Sequence, residues 1–278
     1  MKLIRFGEVG QEKPGVVVNG QRKDCSAHFS DWDYKFFQND GLRKLADLLK
    51  THTLPAVPDS ARWGACVARP GKVLGIGLNY RDHAKETNAA IPKEPLVFLK
   101  ATSAIIGPYD NIIIPRNSTQ TDWEIELGII IGKNAKYLTS TAQAKDYIAG
   151  YTISHDVSER EFQFEHGSQW TKGKSCDTFH PLGPILVTSD EIDVSNLAMQ
   201  LKVNGMLRQN GNTNEMIFDP FYLVHHLSQY MTLEAGDVIT TGTPAGVGRG
   251  MKPPLYLKAG DILDLAIDGL GNQRQICV

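Results

Sequence analysis

The chain lacks the features that mark several large protein classes. It has four cysteines in 278 residues, Cys25, Cys66, Cys176 and Cys277, with no C-x-x-C pair. Scattered thiols fit a reducing compartment better than a disulfide framework. No apolar run approaches the roughly 20 residues of a membrane span; the stretch Gly128 to Gly132 is typical of the longest. The opening Met-Lys-Leu-Ile-Arg-Phe-Gly has two basic residues but no apolar stretch of a secretory signal. A cytoplasmic location, with no membrane partner, is the expectation. Positive charge is not in excess: 29 Lys and Arg stand against 31 Asp and Glu, a net charge of −2. A nucleic-acid partner would need a basic stripe, and none stands out. The expected partner is a small molecule.

Familiar catalytic loops are missing too. There is no G-x-S-x-G elbow of a serine hydrolase. Gly75-Ile-Gly77 follows an apolar run but lacks the third glycine of a dinucleotide loop. Gly173-Lys174-Ser175 ends like a phosphate-binding loop, yet Ser168 stands where the first glycine is required.

What is present is an ordinary globular composition, 41% hydrophobic and 22% charged. A chain of this length buries about three quarters of its unfolded surface, so it needs neither disulfide nor metal to fold. Short strands are expected at Leu3–Phe6 and Gly15–Asn19. A helix then follows, capped by Asp40, with Leu42, Leu45, Ala46 and Leu49 on one face. Pro55, Pro58 and Pro70 punctuate the next stretch as a linker. From Lys72 onward β-like runs dominate and helices are few, Thr141–Tyr147 and Ile217 to about Met231 among them. The expected architecture is α+β and β-rich: a small N-terminal α/β domain, residues 1–65, and a catalytic domain, residues 66–278. Leu233-Glu-Ala-Gly-Asp237 and Leu257-Lys-Ala-Gly-Asp261 read as one kind of turn used twice, each feeding a strand.

Five segments carry candidate chemistry. In Thr121-Asp-Trp-Glu-Ile-Glu-Leu-Gly128 apolar and acidic residues alternate. On a strand this puts Asp122, Glu124 and Glu126 on one face. Repelling carboxylates there suit a hard divalent cation, or else a solvated outer face. Asp156 ends the run Tyr151–Ser154 and could add a third carboxylate from a neighbouring strand. Arg160 and Gln163 follow at four and seven residues, the same way round on a helical turn. His83 and Glu86 are three apart, so on a helical turn they touch. A carboxylate against an imidazole fixes its tautomer and raises its basicity, as a water-activating pair needs. Lys174 and Thr243 sit in glycine-flanked loops with donors for an oxyanion or a ligand. Each segment alone has an ordinary structural explanation.

Their combination resembles the fumarylacetoacetate hydrolase family. The likeness starts near Lys72 and runs beyond Thr243, in the family's order. It is carried by Leu74-Gly-Ile-Gly-Leu-Asn-Tyr-Arg-Asp-His83, Pro95-Leu-Val-Phe-Leu-Lys100, Asp122-Trp-Glu-Ile-Glu-Leu-Gly128, Asp156-Val-Ser-Glu-Arg160, Pro181-Leu-Gly-Pro184 and the Thr-Gly-Thr-Pro loop. Gly10-Gln-Glu-Lys-Pro14 and the preface of about 60 residues look like the bacterial ureidoglycolate lyase or diketo-deoxy-sugar-acid hydrolase branch.

The resemblance implies a mixed β-roll, a homodimer, and Mg²⁺ or Mn²⁺ held by Glu124, Glu126 and Asp156. It implies that His83 and Glu86 activate water, that Lys174 is catalytic, and that Arg160, Gln163 and Thr243 touch substrate. The implied reaction is hydrolysis of a C–C bond in a 2,4-dioxo acid to pyruvate and a short acid. The same site would suit an oxaloacetate decarboxylase or tautomerase, a dioate isomerase or a ureidoglycolate lyase. From another class, a noncatalytic metal-dependent carboxylate binder would have no need of the His83–Glu86 pair. Residues 81–92 are expected to form a lid. The N-terminal segment is expected to be structural, packed on the catalytic domain or a second copy. The distal pocket is expected to take a short polar acyl group, because aromatics do not cluster near the motifs in sequence.

Overall fold

A computed structural model describes residues 1–278. Nine strands follow one path in its main sheet. They are β1 Lys2–Phe6, β2 Lys13–Val18, β3 Gln21–Asp24, β4 Val73–Gly77, β5 Leu96–Lys100, β6 Ile125–Ile131, β7 Ile148–His155, β8 Leu186–Thr188 and β11 Val238–Thr240. Their order is β3-β2-β1-β8-β7-β6-β11-β4-β5, and Trp63–Gly64 adds a short strand beside β1. A second sheet of four strands is built from β9 Ala198–Val203, β10 Met206–Asn212, β12 Ile262–Ile267 and β13 Gly271–Ile276. The architecture is α+β and sheet-rich, as expected. No helix is long and apolar enough to cross a membrane.

The N-terminal segment is continuous with this frame. Lys2 and Leu3 of β1 pair with Val187 and Leu186 of β8. Its helix α1, Gly41–Thr51, belongs to a core shared with Val73, Ile130, Leu186 and Val238 of the main sheet. Asp40 precedes α1 in a left-handed conformation and makes no side-chain cap bond, so it does not cap in the expected way.

The apolar runs set most central strands. β6 and β7 are buried along their whole length, as strands covered on both faces must be. Their antiparallel register sets Glu126 opposite Ser154 and Ile125 opposite His155. This brings the end of β7, and with it Asp156, beside Glu124 and Glu126. The twin turns are real: Asp237 accepts the N–H of Glu234, and Asp261 that of Lys258, at 2.8 and 2.9 Å. They launch β11 and β12.

Two strands escape the periodicity. β10 and β13 are mostly polar, and the inward side chains of β13 are Gln273 and Gln275. Gln273 donates to the carbonyls of Ile153 and Gly183, so a buried amide joins the two sheets where an apolar residue was the signal to look for. The apolar run Asn111–Ile114, one of the β-like runs after Lys72, forms only a bridge between Ile112 and Cys277. The helix near Ile217 is shorter than expected. It runs from Pro220 to Ser228 and starts where Asp219 accepts the N–H groups of Phe221 and Tyr222.

Gly75 and Gly77 find their purpose here. The ring of Phe98, paired opposite on β5, lies over Gly75, and Trp170 lies over Gly77. A Cβ at Gly75 would stand 2.2 Å from the Phe98 ring. Gly75→Ala is therefore expected to cost about 1–3 kcal/mol by overpacking. A denaturant midpoint measures it, and Gly75→Ala combined with Phe98→Leu should regain most of the loss.

Candidate active site

One cavity of about 560 Å³ gathers the predicted residues. His83, Glu86, Glu124, Glu126, Arg160, Gln163, Lys174 and Thr243 all line it. Every one except Glu86 is buried. No residue of the first 65 reaches it.

Glu124 and Glu126 of the acidic cluster line the cavity, and Asp156 is fully buried beside them. Glu124, Glu126 and Asp156 each offer a carboxylate oxygen, and these oxygens lie within 4.8 Å of one another. Lys174 Nζ bridges two of them, at 2.7 Å from Glu124 and 2.6 Å from Asp156. Lys100, buried at the end of β5, pairs with Asp156 from the other side. Burial alone would raise the Asp156 carboxyl, but Lys100 and Lys174 outweigh it and hold the group below the usual range. Glu126 has no such partner. It accepts only from the Thr240 hydroxyl and the Gly242 N–H. Burial, then Asp156 and Glu124, push its carboxyl well above the ordinary value. Three hard oxygens with one under-neutralised carboxylate are what a divalent cation fits.

Asp122 does not join this face, contrary to the sequence reading. The strand breaks at Trp123 and Glu124: Thr121–Asp122 pairs with Ser158–Glu159, while β6 begins at Ile125. The Asp122 carboxylate turns instead to Arg160 and to the N–H groups of Gly248 and Arg249. There it has its full complement of donors and no role in the acidic cluster.

Arg160 opens helix α3, Arg160–Phe164. Its guanidinium bonds Asp122, Glu124 and Gln163. Burial would lower its proton affinity, but Asp122 and Glu124 dominate and raise it, so it stays charged. Helix α4, Thr171–Lys174, packs against α3 at Gly173 and delivers Lys174. Lys174 Nζ also lies 5.0 Å from the centre of the Phe98 ring. Thr243 faces the cavity, but its hydroxyl donates to the Ile125 carbonyl at 2.8 Å and accepts from Gln209 at 2.7 Å.

His83 and Glu86 lie on helix α2, Arg81–Glu86, and do touch: Nδ1 is 2.9 Å from Glu86 Oε2. The other Glu86 oxygen accepts the Gly246 N–H, and Asp82 accepts that of Ala245. The helix is thereby docked on the Thr-Gly-Thr-Pro loop. Asn79, just before it, clasps Phe218 and the Thr241 carbonyl.

The aromatics correct the sequence reading. Phe98, Phe164 and Trp170 line one wall of the cavity, with ring centres 5.5 Å apart for Phe98–Trp170 and 5.7 Å for Phe164–Trp170. Residues far apart in the chain converge, so their distribution along the sequence carried no signal.

The fumarylacetoacetate (FAA) hydrolase C-terminal family model matches residues 72–278. The chain belongs to the fumarylacetoacetate hydrolase family. A Burkholderia multivorans protein that carries only the name "Putative hydrolase" is 53% identical over 279 residues, 99% of this chain and 98% of its own. A fumarylacetoacetate hydrolase from Exiguobacterium antarcticum superposes with a TM-score of 0.85 at 38% identity, covering 100% of this chain and 99% of its own. Maleylpyruvate hydrolase from Sphingobium sp. SYK-6, solved with manganese(II) and pyruvate, gives a TM-score of 0.81 at 29% identity over 100% and 99%. Membership makes the chain a member of an enzyme family of hydrolases and isomerases whose sites depend on a divalent metal.

Proposed function

We propose that the protein is a metal-dependent hydrolase that cleaves a C–C bond in a 2,4-dioxo acid, releasing pyruvate and a carboxylic acid. The observation that carries this reading is the shared cavity. Glu124, Glu126 and the His83–Glu86 pair line one space, with Asp156 buried against the two glutamates, a chelating end and a water-activating end. The neighbour solved with manganese(II) and pyruvate supports the same class of ligand.

Glu124, Glu126 and Asp156 would hold Mg²⁺ or Mn²⁺. When bound, that ion supplies Lewis-acid polarisation of the 2-oxo acid oxygens and offsets charge on the departing three-carbon fragment. The chain's own groups do the rest. Glu86 accepts from His83 Nδ1–H, which leaves Nε2 free to take a proton. His83 Nε2 removes a proton from water, whose oxygen attacks the C4 carbonyl. Lys174 offsets the charge that develops on the C4 oxygen. As the C3–C4 bond breaks, its electron pair goes to C3, which regains a proton. The balance is one water in, pyruvate and one acid out. Arg160, held by Asp122 and Gln163, keeps one guanidinium N–H for the substrate carboxylate. Residues 81–92, four of which line the cavity, would close over the bound substrate and exclude water.

A panel of 2-oxo acids assayed with Mg²⁺ and with EDTA tests the reading. Pyruvate should appear from 2,4-dioxo acids with Mg²⁺ and not with EDTA. Carbon dioxide from oxaloacetate with no cleavage of any dioxo acid would replace it with a decarboxylase.

A further inference from the structure

The cavity holds more positive charge at its rim than its own carboxylates answer. Five basic residues line it: His83, Arg160, Lys174, Arg249 and Lys252. Three are paired, His83 with Glu86, Arg160 with Asp122 and Glu124, and Lys174 with Glu124 and Asp156. Arg249 and Lys252 form no ion pair with any carboxylate of the chain. An unanswered cation in a ligand cavity is an invitation to an anionic group.

Arg249 is the better built of the two. Its guanidinium carbon lies over the Phe164 ring, 3.8 Å from the ring centre, which steadies it, and its side-chain donors have no partner within the chain. Its backbone N–H donates to Asp122 Oδ2 at 3.0 Å. The same oxygen accepts Arg160 Nε at 2.8 Å. One carboxylate therefore fixes the turn that bears Arg249 relative to Arg160. Burial first, and Arg160 second, lower the proton affinity of Arg249, with Tyr256, Asp122 and Glu165 opposing them from a distance. Between the acidic cluster and this rim runs the wall of Phe98, Trp170 and Phe164. Gly75 and Gly77 leave the room those rings need. The wall offers a planar or apolar spacer a surface, with a planar fork for a carboxylate at its far edge.

We propose that Arg249 is the specificity-determining residue for the distal end and holds the second carboxylate of a dicarboxylic substrate. This rests on the reading that the 2-oxo acid end lies at Glu124, Glu126 and Asp156. The acid released with pyruvate is then itself a dicarboxylic acid: the new carboxyl forms at C4 and the old one sits at Arg249. The spacer crosses the aromatic wall.

The test separates this from the reaction. The first arm compares a 2,4-dioxo acid bearing a terminal carboxylate with its terminal monomethyl ester. Wild type should prefer the carboxylate by about 10- to 100-fold, mostly in KM, as a charge-assisted hydrogen bond provides. Arg249→Gln should erase the preference while leaving the ester within about twofold, and Arg249→Lys should restore part of it. The second arm needs no turnover. The Mg²⁺-loaded protein is titrated with unreactive 2-oxo dicarboxylates of increasing length, with the matching 2-oxo monocarboxylates, and with oxalate. Arg249→Gln should weaken only the dicarboxylates and leave oxalate unchanged. Equal binding of both series by wild type, or equal weakening of both by the variant, overturns the proposal. A dicarboxylate preference that depends on Arg249 without any hydrolysis upholds it and overturns the reaction instead.

Discussion

Glu126→Gln is expected to give a folded protein with no metal-dependent activity. Of the three clustered acids, Glu126 is the one that can be neutralised without stranding a cation. Glu124 answers Arg160 and Lys174, and Asp156 answers Lys100 and Lys174. The donors to Glu126 are a hydroxyl and a backbone N–H, which an amide oxygen accepts as well. The folded state pushes the Glu126 carboxyl up, through burial first and the neighbouring acids second. Between its ordinary and folded values the native state therefore binds more protons than the unfolded one. Without metal, that group's contribution to stability falls as pH rises through this interval. Glutamine removes the cost, so the metal-free variant should melt no lower than metal-free wild type at neutral pH. Wild type should gain about 5 °C with Mg²⁺ at a hundredfold excess over Kd, and the variant should gain little. Turnover should fall at least about 10³-fold, since a bound Lewis acid contributes several kcal/mol to such a step. Full activity in the variant would remove Glu126 from the site.

How much of this could be read from sequence depended on whether the physics was local. Glu124 and Glu126 were legible because a strand's period of two puts both on one side. His83 and Glu86 were legible because one helical turn puts them in contact. Asp122 was misplaced by the same rule, because a pairing switch at Trp123 is decided by partner strands distant in the chain. Lys100 went unassigned, although it shares a face of β5 with Phe98, two residues earlier. A lysine on the inward face of an apolar strand is the signal that would have flagged it, since burying it requires an acid. Gln273 and Gln275 hid β13, because a buried amide serves there in place of an apolar side chain. The aromatic wall and Arg249 depend on three segments meeting in space, so no window of the sequence contains them.

His83→Ala should lower turnover by roughly 10²–10⁴-fold, the usual worth of a positioned general base. That corresponds to about 2.7–5.4 kcal/mol of barrier. The local structure does not depend on the ring. Helix α2 is docked by Asp82, which accepts the N–H groups of His83 and Ala245, and by Glu86, which accepts that of Gly246. Removing the imidazole takes away one contact to Glu86 and leaves these in place. Oxalate and pyruvate should bind as before, because the chelating end lies with Glu124, Glu126 and Asp156, which make no bond to His83. Glu86→Gln makes the finer comparison. Its amide oxygen can still accept from Nδ1–H and keep the ring oriented, but it carries no charge to balance the proton that Nε2 takes up during the step. Its rate should fall between wild type and His83→Ala. Single-turnover rates and oxalate titrations on the three proteins separate the roles. A base lost from an intact site lowers the rate alone. If oxalate affinity collapses with the rate in His83→Ala, His83 is a binding group, and the water must be activated elsewhere.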